Sequence, residues 1–232
     1  MYVPEHFAET RLDELSRIVE QCPLGALVLN GPHGLDANHL PFELDPTGGD
    51  RGVLRAHVAR ANPVWTDARN GDEALVIFRA ADAYISPNWY ASTREGHPHV
   101  PTWNYPVVHV HGHISVRDDE AFVRGVVAQL THTHEVRSGS PTPWRMTDAS
   151  EAYIAQMLGA VVGIEIGITR MVGKSKLSQN RDDRDRVGAA EELRTRGERV
   201  IADAMRTIAQ RARVPEPSTG AARRPSPGTR PE

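Results

Sequence analysis

Val100-Pro101-Thr102-Trp103-Asn104-Tyr105-Pro106-Val107-Val108-His109-Val110-His111-Gly112-His113-Ile114-Ser115-Val116 is the stretch on which the fold turns. From Val107 to Val116 the residues alternate. One face of the resulting strand is apolar, and the other carries His109, His111 and His113. Such alternation marks a strand with one face on a core, the ordinary state of antiparallel sheets. The segment before it, Ser86 to Pro106, holds Pro87, Pro98, Pro101 and Pro106 among aromatic residues. It reads as a long irregular loop. A loop of this length inside a compact domain is usually functional, and its aromatic content argues against disorder.

Working outward, Thr10 to Gln21 has Leu12, Leu15, Ile18 and Val19 at helical spacing, with Thr10 as N-cap and Pro23 as the stop. Leu24–Asn30 reads as a buried strand, Gly31 to Gly34 as a turn, and Leu35–Leu44 as its hairpin partner. Pro41 places that partner at an edge or a bulge. Asp45 to Gly52 is a turn, and Val53–Ala59, Glu73–Phe78 and Ala83–Ser86 are further strands. Downstream, Asp118 is expected to cap a helix to about His134, and Asp148 one over Ala149–Leu158. Val161–Met171 is the last strand, where Gly163 and Gly167 suggest a bulge or a close backbone approach. One helix is expected over Val187–Arg211. The fold class is mainly β with peripheral helices, an antiparallel barrel of about six strands. The domain spans 1–212, and the Pro-, Gly- and Arg-rich residues 213–232 read as a disordered tail.

Composition narrows function. Of 232 residues, 39% are hydrophobic, enough for a core. No apolar run approaches the roughly 20 residues of a membrane span, and the N-terminus is too polar for a secretion signal. A single cysteine, Cys22, excludes a disulfide framework and points to a reducing, cytoplasmic setting. The net charge of −3 and the lack of a helix-turn-helix pattern argue against direct DNA binding. No GxGxxG or Walker loop occurs. Among 27 basic residues only Lys174 and Lys176 are lysines. Their pairing in one short motif marks it as a place where a compact cation is wanted.

Four groups of residues carry possible chemistry. His57 and Arg60 end the third strand, where Arg60 is placed to grip an anion. Ser86, Trp89 and Tyr90, with Thr102, Trp103 and Asn104, offer an aromatic wall with a polar edge for a planar heterocycle. The three histidines of the long strand share a face, which reads as a solvated or packed stripe and less readily as a zinc site. Lys176, Ser178, Gln179 and Asn180 form a dense donor set for a phosphate or a heterocycle edge.

Taken in order, Met1-Tyr2-Val3-Pro4, Asn38-His39-Leu40-Pro41-Phe42, His57-Val58-Ala59-Arg60-Ala61-Asn62-Pro63, Tyr84-Ile85-Ser86-Pro87, Val100-Pro101-Thr102-Trp103-Asn104-Tyr105 and Lys176-Leu177-Ser178-Gln179-Asn180 resemble the signatures of the PaiB family. The match runs from Met1 to about Arg186. That family is described as FMN-binding negative transcriptional regulators. The resemblance implies an FMN-binding split barrel that works as a homodimer with the flavin between subunits. It implies Arg60 as the phosphate ligand and Pro101–Tyr105 beside the isoalloxazine, with Ser86, Trp89 and Tyr90 near it. Lys176, Ser178, Gln179 and Asn180 would close the site, and His39 and His57 would face the same cavity. Ser175 stands where the family often has Trp. Two alternatives accompany FMN: a flavin reductase that uses a nicotinamide nucleotide, and a haem b enzyme of the piperazate-synthase type with His57 as axial ligand.

Overall fold

The computed structural model describes residues 1–211, so the tail expected over 213–232 lies outside the described residues. Nine strands form it: β1 (Ala8–Glu9), β2 (Leu24–Gly31), β3 (Gly34–Pro41), β4 (Glu43–Asp45), β5 (Val53–Ala59), β6 (Glu73–Arg79), β7 (Ala83–Ile85), β8 (Thr102–Arg117) and β9 (Val161–Lys176). Six helices surround them: α1 (Leu12–Gln21), α2 (Val64–Asp67), α3 (Glu120–Arg137), α4 (Glu151–Gly159), α5 (Asp183–Thr195) and α6 (Arg199–Arg211). All described pairings are antiparallel, in the order β3-β2-β6-β8-β9-β5-β4, with β1 on β9 and β7 on β8. The sheet is not closed, although β3 and β5 touch across the seam.

Alternation builds the core as expected. Leu27, Leu54, Val76, Phe78, Val108, Val110, Ile114, Ile164 and Ile166 point inward and are buried. Leu15, Ile18 and Val19 of α1 complete this cluster, so its apolar stripe seals the barrel. A second cluster lies beside the barrel: Ile85, Tyr90 and Leu177 pack with Leu193, Ile201 and Met205 of α5 and α6. This second cluster joins residues 83–90 to residues 177–205, two segments distant in sequence.

Several boundaries differ from expectation, each for a physical reason. β8 begins at Thr102 and not at Val107, because β7 pairs with its first residues, Ala83 opposite Asn104. The single strand expected over Leu35–Leu44 breaks at Phe42, whose buried ring turns into the core. β3 is the edge strand that Pro41 called for. α1 starts at Leu12 without a side-chain cap; the Glu9 carboxylate takes the Arg11 N–H instead. Asp119, not Asp118, caps α3, and Asp118 faces Arg60. Ser150, not Asp148, caps α4. The single C-terminal helix is two helices broken at Gly197, whose φ of 87° only glycine adopts freely. β9 runs on to Lys176. Its irregularity falls at the register shift opposite His111/Gly112, next to Thr169. Gly163 is the close approach: a Cβ there would sit 2.5 Å from the Phe122 ring.

Candidate functional site

The first residues of β8 and the turn after β9 meet over the second cluster. On β8, Thr102 and Asn104 share a face. Asn104 is wholly buried. Its Nδ2 donates to Ser178 Oγ at 2.9 Å and contacts Met205 Sδ at 3.4 Å. Among the described residues its Oδ1 has no partner, and neither does the hydroxyl of the wholly buried Tyr90. Buried polar atoms of native proteins are nearly always paired, so two orphans at one place call for a group to fill them. Both residues line a single cavity of about 190 Å³.

Lys176 and Arg181 bring cations to this cavity, and Thr102 and Ser178 bring hydroxyls. Phe7, Val100 and Pro101 form its apolar part, Asn180 stands at its exposed edge, and among the described residues no carboxylate lines it. Lys176 Nζ donates to Thr102 Oγ1. Burial, with Lys174 and Arg181 adding to it, pushes the ammonium below its ordinary value. A bound anion would relieve that cost. Gln179 is used internally. It accepts from Leu177 N–H at 2.7 Å and donates to the Ser175 carbonyl at 2.5 Å, which fixes the turn. Within that turn Ser178 has φ 66°, a left-handed conformation rare outside glycine. Strain of this kind persists where the surroundings enforce it, commonly at functional sites.

Other residues singled out from sequence lie elsewhere. Arg60 is bidentate to Asp118, at 3.0 and 2.5 Å, and its remaining donors reach the carbonyls of Gly159 and Val161. Its fork is thus filled from within the chain, and an anion there would have to displace Asp118. His57 faces outward from β5, half-buried, with an unpartnered Nδ1; burial lowers its pKa and keeps the ring neutral. His39 is exposed on the edge strand. The aromatic residues are divided. Trp103 projects from the opposite face of β8 against Tyr84, at 6.1 Å. Trp89 lies under Arg196. Ser86 caps the one-turn helix 87–89 through Asn88 N–H. Of this wall, only Tyr90 reaches the cavity. Ser175 lines a different cavity, of about 560 Å³, between α1 and α6. His109 and His111 are neighbours at 6.5 Å, and among the described residues no three side chains suited to a metal converge.

Sequence reasoning missed Arg181, His99, Ser92 and Asp185, which form a continuous polar chain behind the cavity. No motif announces them, since they come from two segments 82 residues apart.

A family model described as "Putative FMN-binding domain" matches residues 1–170. The protein "Protease synthase and sporulation protein PAI 2" of Bacillus subtilis is 30% identical over 193 residues, covering 83% of this chain and 89% of that one. Among solved structures, the FAD and heme binding protein from Mycobacterium smegmatis superposes with a TM-score of 0.52 at 18% identity, over 73% of each chain. The flavocytochrome Anf3 from Azotobacter vinelandii gives 0.51 at 13% identity, over 75% of this chain and 72% of that one. Open antiparallel sheet and structural neighbours together define the split-barrel class of fold. Within that class, the chain belongs to the PaiB family of FMN-binding domains.

Proposed function

We propose that the protein binds FMN at the cavity between the start of β8 and the turn Lys176–Arg181, and that it does so as a homodimer. One observation carries the reading: among the described residues, two buried polar atoms, Tyr90 OH and Asn104 Oδ1, have no partner, and the cavity they line has two cations and no carboxylate. A flavin ring N–H is the donor that Asn104 Oδ1 lacks, and a flavin carbonyl or ribityl phosphate oxygen can accept from Tyr90 OH. Asn104, Thr102, Lys176, Ser178 and Asn180 are the holding residues. When bound, the flavin supplies hydride and single-electron chemistry. The chain orients it, excludes water through Tyr90 and Phe7, and offers cations that favour a reduced anionic ring.

Size supports the dimer. Ligand pockets of this class enclose roughly 300–1,000 Å³, and this one offers about 190 Å³, so a second surface must complete it. Ala26 and Val28 of β2, with Leu75 and Ile77 of β6, form a half-exposed apolar stripe outside every core cluster. That stripe is the surface we assign to the second copy.

The test is the absorption spectrum of the protein reconstituted with FMN, followed by titration of Asn104→Ala and Lys176→Met. Flavin bands are expected, with each variant weakening affinity about tenfold, the worth of one hydrogen bond to a polar or charged group. Absence of flavin absorbance would remove the proposal. Bleaching by NADH or NADPH would assign a reductase activity. A regulatory role would then run through the flavin state, because a net charge of −3 offers DNA little; a gel shift with equal affinity for its own promoter and random DNA is expected.

One observation favours haem instead. Burial lowers the His57 pKa and favours the neutral ring an axial ligand needs, and its buried Nδ1 has no partner among the described residues. A Soret band lost in His57→Ala would establish that reading.

A further inference from the structure

The polar chain behind the cavity has a single consistent direction. Arg181 Nη1 lies 2.9 Å from His99 Nδ1. A guanidinium only donates, so Nδ1 accepts and the ring proton sits on Nε2. Nε2 lies 2.7 Å from Ser92 Oγ and donates to it. The Ser92 hydroxyl then donates to Asp185 Oδ2 at 2.5 Å, and the Ser92 N–H to Oδ1 at 2.9 Å. Ser92 and Asp185 are 3% and 2% exposed. Burial alone would raise the Asp185 carboxyl; the two bonds from Ser92, with Arg184 nearby, hold it ionised below its ordinary value. Every donor in the chain meets an acceptor, and reversing any one link would set two donors face to face.

At its open end the chain delivers Arg181 to the cavity, stacked over Tyr90 at 5.3 Å. Arg181 makes no ion pair among the described residues, unlike Arg60 or Arg184. Beside it stand Lys176 and the hydroxyls of Thr102 and Ser178. Two cations and two hydroxyls in a small cavity suit a tetrahedral dianion.

We propose that Asp185, Ser92 and His99 form a one-way hydrogen-bond relay that holds Arg181 at the cavity as the recognition group for a phosphate monoester. Only the identity of the molecule bearing the phosphate rests on the flavin reading above. Arg181 touches the ligand, and the other three are positioning residues.

Two readouts on the full chain test this: the ratio of FMN to riboflavin affinity, by flavin fluorescence, and the rise in melting temperature with inorganic phosphate. The wild type is expected to favour FMN and to be stabilised by phosphate. Arg181→Ala and Arg181→Lys should each cut the FMN preference about tenfold and abolish the phosphate effect. Asp185→Asn should do the same from outside the cavity. Its amide presents a donor to Ser92, which must turn its hydroxyl toward His99 and drive the ring proton onto Nδ1 against Arg181. Should Asp185→Asn fail to fold, Ser92→Ala breaks the relay at its middle with the same expected loss. An unchanged preference in both Arg181 variants overturns the proposal. Equal binding of FMN and riboflavin by the wild type overturns it too, while leaving the flavin reading intact. A phosphate effect that depends on Arg181 in a protein that binds neither flavin supports the proposal and removes the flavin reading.

Discussion

Ser178 sets two costs against each other in one residue. Its left-handed backbone costs about 1–2 kcal/mol for an L residue, while its hydroxyl satisfies the buried Asn104 amide, whose orphaning would cost about 1–3 kcal/mol. Ser178→Gly removes the first and incurs the second, so stability should change little. Ser178→Ala keeps the strain and loses the bond, and should destabilise by about 1–3 kcal/mol. Urea denaturation of both variants checks the order, and equal losses would show that the φ angle stores no strain. At this scale legibility followed contrast. Lys176 stood out because lysine is so rare in the chain. Arg181 did not, being one arginine among many. His99 sat in a segment whose prolines hid its long-range partners.

At the scale of elements, β8 and β9 pair along most of their lengths and each does two jobs. Their middle builds the barrel, while Thr102 of β8 and Lys176 of β9 meet at the cavity. The packing of α3 on this pair depends on Gly163. A Cβ there would lie 2.5 Å from Phe122 and 2.8 Å from the Arg117 carbonyl. Gly163→Ala is expected to cost about 1–3 kcal/mol by overpacking. Adding Phe122→Ala should recover only part of that interaction, because the carbonyl cannot move away. A double-mutant cycle measures the coupling, and strict additivity would show that the ring yields freely. Alternation and glycine placement made these strands readable. The start of β8 was not readable, because its partner β7 supplies the pairing that the local prolines seemed to forbid.

For the whole molecule, pH dependence follows from half-buried histidines. Burial lowers the pKa of His57, His109 and His111 below the ordinary 6.5; the N-terminal amine and His111 add to it at His109, and Arg170 and the N-terminal amine at His111, where Glu73 opposes them. The unfolded chain therefore takes up these protons first. Their contribution to stability is complete above about pH 6.5 and is lost as pH falls below it toward the depressed values. Melting temperature should decline over that acid window, and His57→Gln should flatten the decline by its share. No change in slope would mean that His57 titrates as if exposed. Assembly is tested at the same scale: Ile77→Glu, in the apolar stripe, should yield monomers in sedimentation velocity and weaken FMN binding with them.

No described helix is long and apolar enough to cross a membrane. The sequence by itself determined the antiparallel β architecture, its family and several of the residues that line the cavity, Tyr90, Thr102, Asn104, Lys176, Ser178 and Asn180 among them. Side-chain alternation and turn residues act over a few positions and can be read where they stand. Tertiary structure alone decided which motifs meet. It filled the fork of Arg60 with Asp118, turned Trp103 away from the cavity, and brought Asp185 and Ser92 across 93 residues into one hydrogen-bonded chain. Those outcomes depend on how two clusters pack against each other, a balance of long-range contacts that leaves no local periodic trace.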